Sequence, residues 1–260
     1  MSGISVSREG AVGIITIDRP KANALDVEAS REMYVALADF ESDASIRVGV
    51  ITGAGERFFS AGWDLKAAAS GESADADFGP GGFGGITEYF GRRKPVIAAV
   101  NGIAFGGGFE LVLASDLVVA AEHAEFALPE AALGIIADSG GVLRLPRIIG
   151  ATRAAELLMT GRRLDAVTAH AWGLVNAVVP ANALRATALE LANSIAANAP
   201  RAIAAIMEIT QHTDGMSLAS AFGRLRSGEL EIHASLASSA DAAEGIAAFN
   251  EKRAPRWSGR

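Results

Sequence analysis

Apolar positions are arranged along this chain in several distinct ways, and each arrangement predicts a different element. "AVGIITIDRP" begins with partial alternation and ends in Asp-Arg-Pro, the pattern of a strand running into a turn. "LDVEASREMYVALADFESD" puts Met33, Leu37 and Phe40 at helical spacing behind Asp26 as N-cap. "IRVGVITG" predicts a second strand, and "TGAGERFFSAGWDLKAAA" predicts a loop leading into a short helix. "KPVIAAVNG" is apolar without alternation, as in a strand covered on both faces, and "DLVVAAE" is a fourth short strand. Strands alternating with helices predict an α/β layered architecture. From about residue 151 the pattern turns helical in "ATRAAELLMTG", "DAVTAHAWG" and "ALRATALELANSIAANA", with "GLVNAVVP" as an intervening strand. Beyond Pro200 it stays helical to about Phe249, before the polar tail "EKRAPRWSGR". Residues 70–91, rich in Gly, Asp and Ser, read as a mobile loop or lid rather than core.

Composition narrows the class. Half of the 260 residues are hydrophobic, enough for one large domain with a sizeable core. No apolar run is long enough to span a bilayer, and the first residues lack a signal-peptide pattern. The absence of cysteine excludes disulfides and thiolate metal sites. A net charge of −7 leaves no broad basic footprint for general nucleic-acid binding. The expectation is a cytoplasmic protein with neither membrane nor nucleic acid as partner. A small anionic ligand would depend on local Lys, Arg or backbone N–H groups.

Candidate chemistry centres on "NGIAFGGGFELVLASD". Glycines between a strand and a helix let the backbone approach a ligand closely. The helix N-terminus there offers unpaired N–H groups to an anion, or to an oxygen that becomes anionic during reaction. No Lys-Ser/Thr pair follows, so this is not a Walker loop, and the G-x-G-x-x-G spacing at Gly79, Gly81 and Gly84 does not follow a strand. Glu110 falls in the first helical turn; "AEFALPEAALGIIADSGG" adds Glu130 after Pro129 and Asp138 before a glycine pair. Carboxylates on apolar walls can divide acid and base roles. Each also has a plain structural reading: Glu110 and Glu130 as helix-start acids, Asp138 as an N-cap or turn residue. Spacing does not choose between them. Ser139 lacks the G-x-S-x-G elbow, and the scattered histidines, His123, His170, His212 and His233, lack metal-ligand spacing. No metal site is expected.

Four stretches, "DRPKANALD", "FFSAGWDLK", "AVNGIAFGGGFELVLASDLVVA" and "FALPEAALGIIADSGGVLRLPRIIG", together resemble the crotonase, or enoyl-CoA hydratase/isomerase, superfamily. "MTGRRLDAVTAHAWGLVNAVVP" and "AFNEKR" extend the resemblance over nearly the whole chain. It implies an α/β spiral of ββα units over residues 1–200, carrying the CoA site, and a C-terminal helical trimerisation region over 201–260. It also implies a homotrimer or homohexamer. The oxyanion hole falls on the backbone N–H groups of Trp63, where many relatives have Ala, and Gly107. Glu110 would handle water at the β-carbon and Glu130 the α-carbon proton.

The resemblance places CoA contacts at Lys21, Ala22, Ala24, Ala61, Asp64 and Leu65, with Phe249 and Lys252 reaching CoA from a neighbouring subunit. Coenzyme A would enter as part of the substrate, with no tightly bound cofactor. "FFSAGWDLKAAASGESADADFGPGGFGGITEYF" is similar to members acting on carnitine-type thioesters, which implies reversible hydration of crotonobetainyl-CoA to carnitinyl-CoA. A general enoyl-CoA hydratase or an enoyl/dienoyl-CoA isomerase is the alternative within enzymes; an RNA-binding or non-catalytic member is the alternative from another class. Asp138 departs from the simple hydratase pattern, where Gly is common. It would shift a proton along the chain, recognise a cationic substrate, or only bond its own turn. Phe78, Phe83 and Tyr89, with Asp75, Asp77 and Glu88, are candidates to surround a trimethylammonium group.

Overall fold

In the computed structural model, which describes residues 3–260, the chain opens with a hairpin, β1 (Ile4–Glu9) and β2 (Val12–Ile17). Then come α1 (Val27–Ser42), β3 (Val48–Gly53), β4 (Phe58–Ser60) and α2 (Leu65–Ala69). After a long irregular segment follow β5 (Val96–Val100), β6 (Ile103–Phe105), α3 (Gly107–Ala114), β7 (Leu117–Ala121) and β8 (Glu125–Ala127). Next are α4 (Gly141–Ile149), α5 (Ala151–Thr160), β9 (Leu164–Asp165), α6 (Ala166–Ala171), β10 (Ala177–Val179) and α7 (Leu184–Ala196). The chain finishes with α8 (Pro200–Thr213), α9 (Leu218–Arg226), α10 (Glu231–Leu236) and α11 (Ala240–Glu251).

Among the described residues one sheet runs β1-β2-β3-β5-β7-β10, parallel except for the hairpin. The second, β4-β6-β8-β9, stands where the chain leaves the first. β5 is buried throughout, as its unbroken apolar run predicts. Val96, Ala98 and Val100 point into the core shared with Met33, Leu37 and Phe40 of α1. Ile97 and Ala99 point the other way, against Leu184, Ala188, Ala192 and Ala196 of α7. That four-residue spacing makes one stripe along α7, and its alanines let the helix approach the sheet closely. Asp26 caps α1 as expected, accepting from the Ala29 N–H at 2.9 Å.

The segment 70–91 departs from the expectation of a lid. Residues 81–87 are buried around a one-turn 3-10 helix, Phe83–Gly85. Its glycines serve close packing: a Cβ on Gly84 would lie 2.4 Å from Leu111, and one on Gly85 would lie 2.3 Å from the Tyr34 nitrogen. The part before it, through residue 80, and the end at Glu88, Phe90 and Gly91 lie largely at the surface.

Candidate active site

Two chain crossings build the centre of the site. β4 leads into Gly62 and Trp63, and β6 leads into Gly106, Gly107 and Gly108 at the start of α3. A Cβ on Gly62 would fall 2.6 Å from the Gly107 nitrogen and 2.8 Å from the Phe105 oxygen, and one on Gly108 would fall 2.1 Å from the Ser60 oxygen. The segments therefore touch backbone to backbone, which side chains at these positions would prevent. Leu25 donates to the Gly62 oxygen and accepts from the Asp64 N–H, both at 2.8 Å, so the Trp63 N–H faces away from Leu25. Gly107 opens α3, where an N–H has no acceptor within the helix. Among the described residues neither N–H has a protein acceptor, and Gly62, the residue before Trp63, packs on the Gly107 nitrogen.

The sequence hides what holds these strands. Asn23, buried at positive φ, donates to the Ala54 and Phe58 oxygens at 3.1 and 2.8 Å. Ser60 Oγ donates to the Asn23 oxygen and accepts from the Gly62 N–H. The one available signal was Asn before a strand turn, a residue that tolerates the left-handed region. Glu72 was also missed: it accepts from the Trp63 indole N–H at 2.8 Å and from the Val27 N–H at 3.1 Å, tying the Trp63 side chain to the start of α1.

The acids converge on this crossing. Glu110 is 4% exposed in the first turn of α3, and its Oε1 accepts from the Gly141 N–H at 2.8 Å. Glu130, 9% exposed, opens the 3-10 turn after Pro129. A Cβ on Gly106 would lie 3.0 Å from Glu130 Oε1, so this carboxylate rests on the glycine stretch. Its other oxygen is buried with no hydrogen-bond partner among the described residues. Burial pushes Glu110 from 4.5 up to about 7; the Gly141 N–H opposes this, while Glu130 and Asp138 add to it. Burial also raises Glu130, again with help from Asp138. Asp138 is exposed on the turn before α4. It does not cap that helix: Gly140 occupies the N-cap, with no side-chain cap, which removes the capping reading.

The other candidates divide. Ala61 donates to the Ala22 oxygen at 3.0 Å, so Lys21, Ala22 and Ala24 run beside Ala61, Asp64 and Leu65 at the edge of the same crossing. Asp64 caps α2 through the Lys66 N–H, and Leu65 and Lys21 are exposed. The structure does not bring Phe249 and Lys252 to this group within one chain. Phe249 is 85% exposed on α11, which folds onto the tail through Arg253–Glu244 and Asp241–Ser258. Trp257 of that tail donates to the Ala197 oxygen past the end of α7.

Of the aromatic candidates, Phe83 is buried, its ring 2.4 Å from where a Gly107 Cβ would be, and Phe78 stacks edge-on to it at 5.2 Å. Tyr89 packs on Tyr34, Asp77 pairs with Arg31, and Asp75 is exposed. A cavity of about 350 Å³ lies at the opposite ends of the strands, beside Arg47, Lys94 and Trp257. Its cations have structural work: Lys94 binds the Phe40 and Asp43 oxygens at the end of α1, and Arg47 binds Ala196 O at the end of α7.

A parallel sheet that sheds a short second sheet, with one buried glutamate in the first turn of a glycine-opened helix and a second resting on those glycines, is the architecture of the crotonase fold. An enoyl-CoA hydratase from Mycobacterium tuberculosis H37Rv matches all of both chains with TM-score 0.91 at 40% identity. A carnitinyl-CoA hydratase from Mycobacterium avium also matches all of both, with TM-score 0.78 at 42% identity. The enoyl-CoA hydratase/isomerase family model matches residues 7–260, and the chain belongs to that family. The carnitinyl-CoA dehydratase of Shigella flexneri is 56% identical over 257 residues, 99% of this chain and 98% of that protein. The protein of the same name from Escherichia coli K12 is likewise 56% identical over 257 residues.

Proposed function

We propose that the protein is a hydro-lyase that reversibly hydrates crotonobetainyl-CoA to carnitinyl-CoA. What carries the reading is the pair of buried glutamates, with raised proton affinity, flanking two backbone N–H groups free to receive an oxygen. The 56% identity to the Shigella flexneri carnitinyl-CoA dehydratase supports the choice of substrate.

In the hydration direction the thioester oxygen accepts from the Trp63 and Gly107 N–H groups. Glu110, as the carboxylate, takes a proton from water while the water oxygen bonds to the β-carbon. The double-bond electrons move to the thioester oxygen, and Glu130, holding a proton, delivers it to the α-carbon. Dehydration reverses each step. Losing one such N–H donor costs about 3–4 kcal/mol in other enzymes. Burial suits both glutamates, because it brings their proton affinities towards neutral pH.

CoA would run along Lys21, Ala22, Ala24, Ala61, Asp64 and Leu65, with Phe249 and Lys252 contributed by a second subunit of a homotrimer or homohexamer. Exposed Leu218, Phe222 and Ile246 on the C-terminal helices, with Met216 in the loop before α9, are the apolar surface such an assembly would cover. We assign Asp138 to the cationic end of the acyl chain: it is exposed, next to both glutamates in the electrostatics of the site, and does not cap α4. The cytoplasm is the proposed place of work; among the described residues no helix is long and apolar enough to cross a membrane.

The test is steady-state hydration of crotonobetainyl-CoA beside crotonyl-CoA, with products resolved by mass and chirality. Preference for the cationic thioester is expected. Preference for crotonyl-CoA would make the protein a general hydratase, and migration of the double bond without gain of water would make it an isomerase.

A further inference from the structure

Arg144 belongs to no part of the mechanism above, yet it sits where the loops of the site meet. Its Nη2 donates to the Thr87 oxygen at 2.5 Å, and its Nη1 to the Ser139 oxygen at 3.4 Å. The first contact reaches the buried half of the glycine-rich segment, close to Phe83. The second holds the turn whose Gly141 N–H grips Glu110. Gly140 makes room: at φ 120°, a Cβ there would lie 1.9 Å from Arg144 Nη1.

We propose that Arg144 is a positioning residue of the reaction, its guanidinium clamping the 139–141 turn, whose Gly141 N–H holds Glu110, to the buried segment at Thr87. The inference rests on the proposed hydratase chemistry for its kinetic consequence, but not for its structural one. Charge adds a second effect. Among the described residues the charged groups that act on Glu110 are Glu130 from the 3-10 turn, Asp138 from the following loop and Arg144 from α4, of which Arg144 alone is positive. Arg144 is in turn acted on by Glu110, Glu88, Arg92 and Arg147. A cation near a carboxylate favours its ionised form. Removing Arg144 therefore makes Glu110 hold its proton to higher pH, and fewer molecules carry the base that water addition needs.

The experiment compares wild type with Arg144→Met, Arg144→Lys and Gly140→Ala. The Glu110 carboxyl is followed by NMR titration of glutamate-labelled protein, assigned by its loss in Glu110→Gln. The pH profile of kcat is recorded in parallel. Arg144→Met should raise the Glu110 titration midpoint and the acid limb of kcat together. Arg144→Lys should keep most of the midpoint while losing kcat at every pH, because one ammonium group does not reproduce the planar fork that reaches two carbonyls. Gly140→Ala, which displaces the guanidinium without deleting it, should fall between. Folded Arg144→Met protein with an unchanged midpoint and kcat would overturn the proposal, as would equal behaviour of the Lys and Met variants. The titration needs no substrate, so a wild-type enzyme inactive on crotonobetainyl-CoA would refute the substrate assignment and leave the inference about Arg144 to be judged by NMR.

Discussion

The contact between Gly62 and Gly107 can be broken with one methyl group. Gly62→Ala puts a Cβ 2.6 Å from the Gly107 nitrogen and 2.8 Å from the Phe105 oxygen, at φ 84°. Unstrained contacts to carbon lie at about 3.5–4.0 Å, so the two segments must part by roughly 1 Å. The backbone conformation costs about 1–2 kcal/mol and the overpacking about 1–3 kcal/mol. Together these stay below the ~5–15 kcal/mol that holds a typical domain folded. Catalysis should suffer more, since misplacement of about 1 Å costs on the order of 10²-fold and loss of a donor on the order of 10²–10³-fold in kcat. Gly55→Ala is the control: Gly55 has φ 77° but nothing within 4 Å of a Cβ, so it carries the backbone cost without the wedge. The assay is kcat and KM for hydration, with thermal unfolding of both variants. Folded Gly62→Ala enzyme with the kcat of Gly55→Ala would refute the assignment of this crossing as the oxyanion site.

Glu110→Gln should lower kcat by at least ~10²-fold, as removal of a general base does. It should also stabilise the fold at pH 8. The folded-state value near 7 lies above the ordinary 4.5, so the fold favours neutral Glu110; that contribution is complete below pH 4.5 and is lost as pH rises through 7. Ionising the carboxylate in place costs about 3 kcal/mol, so wild-type stability should fall across that window and the Glu110→Gln variant should lack this part of the fall in urea titrations. Glu130→Gln should abolish solvent-deuterium exchange at the α-carbon along with hydration; exchange at the wild-type rate would remove Glu130 from its role. Asp138→Asn should lower kcat/KM for crotonobetainyl-CoA by roughly 5-fold and leave crotonyl-CoA nearly unchanged, and an equal loss on both thioesters would reject the cation assignment.

Much of this architecture was legible because long elements repeat their pattern. α1 shows its core stripe and its Asp26 cap, and β5 shows burial on both sides as an unbroken apolar run. The second sheet was not legible. Phe58–Ser60, Ile103–Phe105, Glu125–Ala127 and Leu164–Asp165 are too short to show alternation, and the first three exist because the parallel strands before them set where the chain must go. β1 escaped because five of its six residues are exposed. The glycines of 79–85 misled for a physical reason: glycine marks either freedom or crowding, and here crowding wins in residues 81–87. For the site, the motifs pointed to acids and backbone N–H groups that the fold gathers at one crossing, whereas Asn23, Glu72 and Arg144 act through contacts distant in sequence. No local pattern announces Arg144 donating to the Thr87 carbonyl.

Charge connects the site to its proposed substrate. Glu110, Glu130 and Asp138 crowd together, and Glu110 and Glu130 are each pushed towards the neutral form. Forming an enolate at the Trp63 and Gly107 N–H groups adds further negative charge to the same region, opposed by the α3 N-terminus and Arg144. A neutral acyl chain does nothing to relieve that. A trimethylammonium group on the carbon beside the β-carbon brings a full positive charge into it. At an effective dielectric of about 20, a unit charge ~6 Å from a carboxylate gains about 3 kcal/mol; solvent around the exposed Asp138 reduces this towards 1 kcal/mol. A third acid that would burden a simple hydratase thus becomes useful when the substrate is cationic. The gain is largest as the enolate forms, so the preference should appear in kcat and not only in KM.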